Sequence, residues 1–192
     1  MSREYPDRPI VGVGVVVLRA DEVLMIRRGR EPRLGQWSIP GGKQELGETW
    51  QDTAVREVRE ETAVEIDVIG IVDVVDAIVR DGDPPRPGTA GIGTEDTGLA
   101  AANDDDATNV TALHGRPLED TPRQDMARIR YHYTLVDCAA VWVGGDPVAG
   151  GDAAHAEWWP LDRIGELSLW SETVRIIMQA ATLVSSRRPE PR

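Results

Sequence analysis

Residues 10–18, Ile-Val-Gly-Val-Gly-Val-Val-Val-Leu, are apolar almost without a break and mostly β-branched. That pattern predicts a strand buried on both faces. Gly12 and Gly14 fall two residues apart. In a strand they face the same side and would let something pack closely there. Asp21-Glu22 reads as a turn, and residues 23–27 as a returning strand. A polar loop containing Gly and Pro follows over 28–36. A short strand at 37–39 then runs into the turn Ile39-Pro40-Gly41-Gly42. Over 48–62 the period changes. Trp50, Ala54, Val58 and Thr62 recur at steps of four, the packing stripe of a helix. Thr49 can cap its start, and Glu48 suits the positive end of its dipole. Residues 64–80 and 129–142 return to strand character. Residues 167–184 carry a second helical stripe at Val174, Ile177, Ala181 and Val184. The tail, 185–192, is expected to be flexible.

Between those strands the pattern lapses. Residues 81–128 hold ten acidic and four basic side chains, a net −6, and no aromatic residue. Pro84-Pro85-Arg86-Pro87 and Asp104-Asp105-Asp106 are coil signals. Apolar surface there is too sparse to offset the ~1–2 kcal/mol per residue that ordering a backbone costs. The segment reads as a disordered acidic insertion within one domain spanning 1–192. Asp104–Asp106 is read as a solvated charge run rather than a metal site.

Length and composition narrow the classes. The 192 residues suffice for one domain with a real core. No apolar run approaches the ~20 residues that span a bilayer, and the charged start, MSREYPDRP, lacks a signal-type apolar region. Cys138 is the single cysteine, so no intrachain disulfide forms. It sits in a strand-like stretch and reads as a buried, inert thiol. These features predict a cytoplasmic protein. A net charge of −12 argues against a nucleic-acid polymer as partner, because polyanions need a basic face.

The chemistry concentrates in one stretch. Glu57, Glu60 and Glu61 stand at i, i+3 and i+4, so a helix gathers them on one face. Like charges that close weaken a helix unless a cation offsets them. A hard divalent ion such as Mg2+, or Mn2+, is the natural candidate. Arg56 is four residues from both Asp52 and Glu60. The glycine turn just upstream can bring backbone close to a ligand. A carboxylate-lined helix beside such a turn suggests metal-assisted chemistry on a phosphate compound.

The full spacing is more specific. Gly42, five residues, Glu48, seven residues, then Arg56-Glu57-Val58-x-Glu60-Glu61-x-Ala63-Val64 resembles the Nudix box, G-x5-E-x7-R-E-U-x-E-E-x-G-U with U apolar. The closing glycine is Ala63 here. The resemblance extends to the opening Tyr5–Val16, to the stretch from Arg27 through Trp37 to Gly42, and to the late Trp158-Trp159-Pro160-Leu161-Asp162. It points to a bacterial branch usually labelled ADP-ribose pyrophosphatase. It implies a Nudix-type α/β/α sandwich, a mixed β-sheet between helices. It also implies a pyrophosphohydrolase acting on a nucleoside diphosphate linked to another moiety, such as ADP-ribose. Nudix-like roles then fall residue by residue. Glu57, Glu60, Glu61 and Gly42 would hold Mg2+, and Arg56 would orient Glu60. Asp152, in a late loop, is the candidate general base; a further family-like acidic position is His155 here. Arg27, Trp37, Gly41 and Gly42 are candidates to contact substrate; Trp37 reads either as a base-stacking residue, worth ~1–3 kcal/mol, or as part of the core. The Ser-Gln-Pro-Trp-Pro-Phe-Pro motif of NADH pyrophosphatases is missing; the chain has no phenylalanine. Alternatives left open are a hydrolase of oxidised dNTPs and a silent nucleotide sensor. Relatives of this type are often homodimers.

Overall fold

A computed structural model describes residues 4–30, 34–83 and 128–187. The insertion expected at 81–128 therefore lies almost wholly outside the described residues, as do 188–192. Seven strands appear, in one mixed sheet: β1 (Ile10–Arg19), β2 (Glu22–Arg28), β3 (Trp37–Ser38), β4 (Gly41–Lys43), β5 (Glu65–Arg80), β6 (Ile129–Gly144) and β7 (Ala153–Pro160). Two helices flank it, α1 (Trp50–Thr62) and α2 (Ser171–Arg187), with a 3-10 turn over Leu161–Leu167.

The order across the sheet is β3-β2-β1-β6-β5, with β4 added to β1 and β7 to β2. β1 and β6 run parallel; the other pairings are antiparallel. The predicted central strand is central. Val15, Val16 and Val17 are fully sealed from solvent. Side chains alternate across β1, so two cores form. Val13, Val15, Val17, Leu24 and Cys138 pack under α1 with Ala54 and Val58. Val16, Leu18, Met25 and Ala139 pack under α2 with Ile176, Ile177, Ala180 and Val184. Burial pushes the Cys138 thiol up to about 12, so it is inert, as expected.

The boundaries differ most from the sequence reading toward the C-terminus. α2 starts at Ser171 because Leu161–Leu167 winds as a 3-10 turn that ends at Ser168 in a left-handed conformation. It runs on to Arg187, with Ser185 Oγ bonding the Ala181 carbonyl and Arg187 donating to the Ile69 carbonyl at 2.6 Å. β7 begins at Ala153, because its pairing with β2 extends past Ala156 to His155 and Ala153. Among the described residues no helix is long and apolar enough to cross a membrane.

Candidate functional site

Helix α1 is fixed at both ends. Thr49 Oγ1 accepts from the Asp52 backbone N–H, and the Asp52 carboxylate accepts from the Thr49 N–H, a reciprocal capping box. At the other end Ala63 takes the left-handed conformation, φ 57°, and its N–H bonds the Arg59 carbonyl. The turn thus keeps its geometry without the glycine that suits it best.

The glycine turn meets the middle of this helix. β4 pairs with β1 so that Gly41 lies opposite Gly14, and Gly42 opposite Val13. The Gly41 N–H donates to Glu61 Oε2 at 2.9 Å. Gly42 lies so close to the Glu57 carboxylate that any Cβ there would overlap it. Glycine is therefore a steric requirement at 42. Gly41, φ 151°, could not carry a side chain past the Val13 carbonyl either.

Arg56 is the hub. Its Nη1 donates to Glu57 at 2.7 Å and to Glu60 at 3.3 Å, so one nitrogen bridges two of the three carboxylates. Its Nε and Nη2 grip Glu48 at 2.6 and 3.0 Å, and Nη2 also reaches the Lys43 carbonyl. Asp52, the other partner offered by spacing, is occupied by the cap. Sequence reasoning missed Glu48 as the main partner, since the two are eight residues apart and Glu48 precedes the helix. The Arg56 guanidinium, helped by the Glu45 N–H and the Thr53 hydroxyl, holds the Glu48 carboxyl down at about 2.

The other glutamates behave differently. Burial pushes Glu61 up to about 7, against the Gly41 hydrogen bond; Glu57 and Asp152 push the same way, and Arg28 pulls down. Burial also raises Glu57, despite Arg56. Glu60 stays exposed. Two carboxylates of the line are thus shielded, Glu57 paired with Arg56 and Glu61 held by the Gly41 amide. The donor set is all hard oxygen, which fits a divalent cation of the Mg2+ class. Among the described residues no group of three or more His, Cys, Asp or Glu side chains is arranged to hold a metal ion. Arg56 and the Gly41 amide engage carboxylate oxygens in this arrangement.

The loop between β6 and β7 closes the far end. Its Val148 and Gly150 N–H groups donate to the Thr62 and Glu61 carbonyls, at 2.9 and 3.0 Å. They satisfy acceptors that a helix C-terminus leaves open. The loop delivers Asp152 near Glu61, where its charge is felt. Asp152 pairs with Arg30 at 2.8 Å, an exposed contact. His155 stands in β7 opposite Arg27 and lies 3.6 Å from Glu157. Trp37 packs edge-on to His155, ring centres 5.8 Å apart, and 6.0 Å from Trp159. It also leans on the α2-side core, so one face at most is left for a ligand. Arg27 Nε donates to the Gly35 carbonyl at 2.8 Å and so pins the 28–36 loop. The structure therefore gathers Glu57, Glu60, Glu61, Arg56, Gly41 and Gly42 tightly, with Asp152 at the same end. Trp37 and Arg27 lie on β3 and β2, off that cluster.

Comparison with known proteins settles the family. The NUDIX domain family matches residues 8–107, more than half of the chain. The chain belongs to the NUDIX family. Among curated NUDIX relatives, a Bacillus subtilis Nudix hydrolase without a characterised activity is 43% identical over 63 residues, 33% of this chain and 38% of that protein. An ADP-ribose pyrophosphatase of Methanocaldococcus jannaschii is 34% identical over 73 residues, 38% of this chain and 43% of that protein. A proposed 8-oxo-dGTP diphosphatase of Mycobacterium tuberculosis is 40% identical over 67 residues, covering 34% and 47%. The matches thus span less than half of each relative. Among solved structures, a MutT NUDIX hydrolase from Burkholderia pseudomallei aligns over 90% of this chain and 98% of its own, TM-score 0.57 at 20% identity. The NUDIX domain of Shewanella oneidensis NrtR, solved with ADP-ribose, aligns over 93% and 90%, TM-score 0.57 at 18% identity. At such identities these two establish the NUDIX fold, the mixed sheet between helices read from the box.

Proposed function

We propose that this chain is a divalent-metal-dependent hydrolase of the pyrophosphate bond in a nucleoside diphosphate derivative. ADP-ribose, cleaved to AMP and ribose 5-phosphate, is the leading substrate. The observation that carries this reading is the line Glu57, Glu60, Glu61 against the Gly41-Gly42 turn, with Glu57 and Glu61 shielded and raised by burial. Glu57 and Glu61 would be the main holders of Mg2+ or Mn2+, with Glu60 and the Gly42 backbone assisting. When bound, such an ion activates water and offsets charge on phosphate oxygens. Arg56 orients Glu57 and Glu60 from the Glu48 side. In this reading Asp152 would take a proton from the attacking water. Its partner Arg30, exposed at the mouth of the site, can turn to a substrate phosphate. Cleavage at P–O–P needs positioning and charge more than covalent help, which is what these residues offer.

A panel of ADP-ribose, NADH, dinucleoside polyphosphates and oxidised dNTPs, assayed with and without Mg2+, tests the reading. The proposal expects Mg2+-dependent AMP release from ADP-ribose. A second reading, hydrolysis of oxidised dNTPs, is supported by the likeness to the proposed 8-oxo-dGTP diphosphatase. It wins if only those substrates turn over. Nucleotide binding without any turnover would favour a sensor.

A further inference from the structure

The chain leaving β2 meets the β6–β7 loop twice, once through backbone and once through a side chain. It leaves β2 at a fixed neck. The Arg28 N–H donates to the Gln36 carbonyl at 2.9 Å and the Gly35 N–H to the Arg28 carbonyl at 2.8 Å, while Arg27 Nε holds the Gly35 carbonyl. Just past the neck, the Gly29 N–H donates to the Asp152 carbonyl at 2.8 Å. The approach is tight. A Cβ at Gly29 would stand 3.1 Å from the Asp152 carbonyl oxygen and 3.2 Å from the Ala154 nitrogen. One residue on, Arg30 Nη1 meets Asp152 Oδ1 at 2.8 Å. Gly29 thus holds the main chain of Asp152, and Arg30 holds its carboxylate.

The two ties differ in what can break them. The backbone tie is reinforced from the other side. The Ala153 N–H donates to the Gly150 carbonyl, and the Gly150 N–H to the Glu61 carbonyl, at 2.9 and 3.0 Å. None of these groups carries a net charge, so an incoming anion has little hold on them. The Arg30–Asp152 pair is charged and open to solvent, its side chains 70% and 49% exposed. Such a pair is worth ~0–1 kcal/mol. A guanidinium bonded to a phosphate oxygen gains about 1.5–3 kcal/mol, and its planar fork matches that group. A phosphate arriving beside Arg30 therefore outcompetes the carboxylate. Asp152 stays in place when Arg30 leaves, because Gly29 still holds its backbone. Its charge already reaches Glu61.

We propose that Arg30 is a latch on Asp152 that the substrate itself opens: a substrate phosphate takes the guanidinium and frees the carboxylate. The inference rests on the hydrolase reading above, in which Asp152 accepts a proton from water. It adds an order of events. Without substrate the candidate base is engaged by a cation; with a diphosphate in place it is released. The contact that recognises phosphate is the one that readies the base.

The test is a double-mutant cycle in ligand binding. Calorimetry with Mg2+ and the α,β-methylene analogue of ADP, whose P–C–P link resists hydrolysis, compares wild type, Arg30→Gln, Asp152→Asn and the double variant. Arg30→Gln should weaken binding about tenfold, the loss of one charge-assisted bond. Asp152→Asn should tighten it about two- to fivefold, since no carboxylate then competes for Arg30. In the Arg30→Gln background, Asp152→Asn should leave affinity unchanged. A carboxylate that merely repels phosphate would tighten binding equally in both backgrounds. That result overturns the proposal, as does unaltered binding by Arg30→Gln or no binding by wild type. The expected cycle without hydrolysis of any substrate removes the hydrolase reading and leaves the exchange at Arg30 standing. Mg2+-dependent hydrolysis with an additive cycle does the reverse.

Discussion

At the scale of single residues, the site depends on which carboxylates already have a cation. Glu48 has Arg56 on two bonds, at 2.6 and 3.0 Å; Glu57 shares the same guanidinium at 2.7 Å yet is raised by burial, and Glu61 is raised by burial more. Glu57→Gln and Glu61→Gln keep shape and remove charge. Each should lower Mg2+-dependent turnover by roughly a hundredfold or more, with circular dichroism and Tm close to wild type. Near-normal turnover by Glu61→Gln would remove it from the metal set. Glu48 makes a different prediction. Its carboxyl is depressed from 4.5 to about 2, so its contribution to stability is present above pH 4.5 and lost as pH falls toward 2. The stability gap between wild type and Glu48→Gln should therefore narrow steadily over that interval in denaturant titrations. A gap independent of pH would show that the Arg56–Glu48 pair does not stabilise the fold. The carboxylate spacing was legible in the sequence because one helix carries all three groups at fixed offsets. The Arg56–Glu48 pair was not, since it crosses the helix start.

At the scale of elements, the two connections at the C-terminal end of α1 decide where Asp152 stands. Ala63 occupies a left-handed position, φ 57°, that costs an L-residue other than glycine roughly 1–2 kcal/mol. Ala63→Gly should raise stability by about 1 kcal/mol, or Tm by roughly 2–4 °C. An unchanged or lower Tm would mean that the turn relaxes around alanine at no cost. Gly150 tests the loop itself. A Cβ there would stand 2.6 Å from the Glu60 carbonyl, so Gly150→Ala must lift the loop that carries Asp152. Turnover should fall at least tenfold, as for other residues that position a site. Gly144→Ala, whose Cβ meets nothing within 4 Å, should leave turnover alone. Equal effects from both substitutions would mean that the loop's position does not matter to the chemistry. Strand β1 was legible from its apolar run, because a central strand leaves few polar positions, and β2, β5 and β6 from their apolar, β-branched character. The first residues of β7 carry no such signal. Ala153–His155 has no strand-like alternation and is drawn into the sheet by pairing with β2.

At the scale of the whole molecule, a net charge of −12 frames how an anionic substrate is accommodated. A phosphate compound entering an acidic site needs cations from outside or from nearby arginines. Arg28 pulls Glu61 down, and Arg30 pairs with Asp152. Metal dependence is thus the central claim, and the fate of water is its most direct test. ADP-ribose should be incubated in 18O-labelled water with Mg2+, with EDTA, and with the Glu61→Gln protein, and the products weighed by mass spectrometry. The account predicts AMP and ribose 5-phosphate, with one labelled oxygen on the phosphate that was attacked, in the Mg2+ reaction of wild type alone. Equal hydrolysis in EDTA, or undiminished labelling by Glu61→Gln, would contradict it.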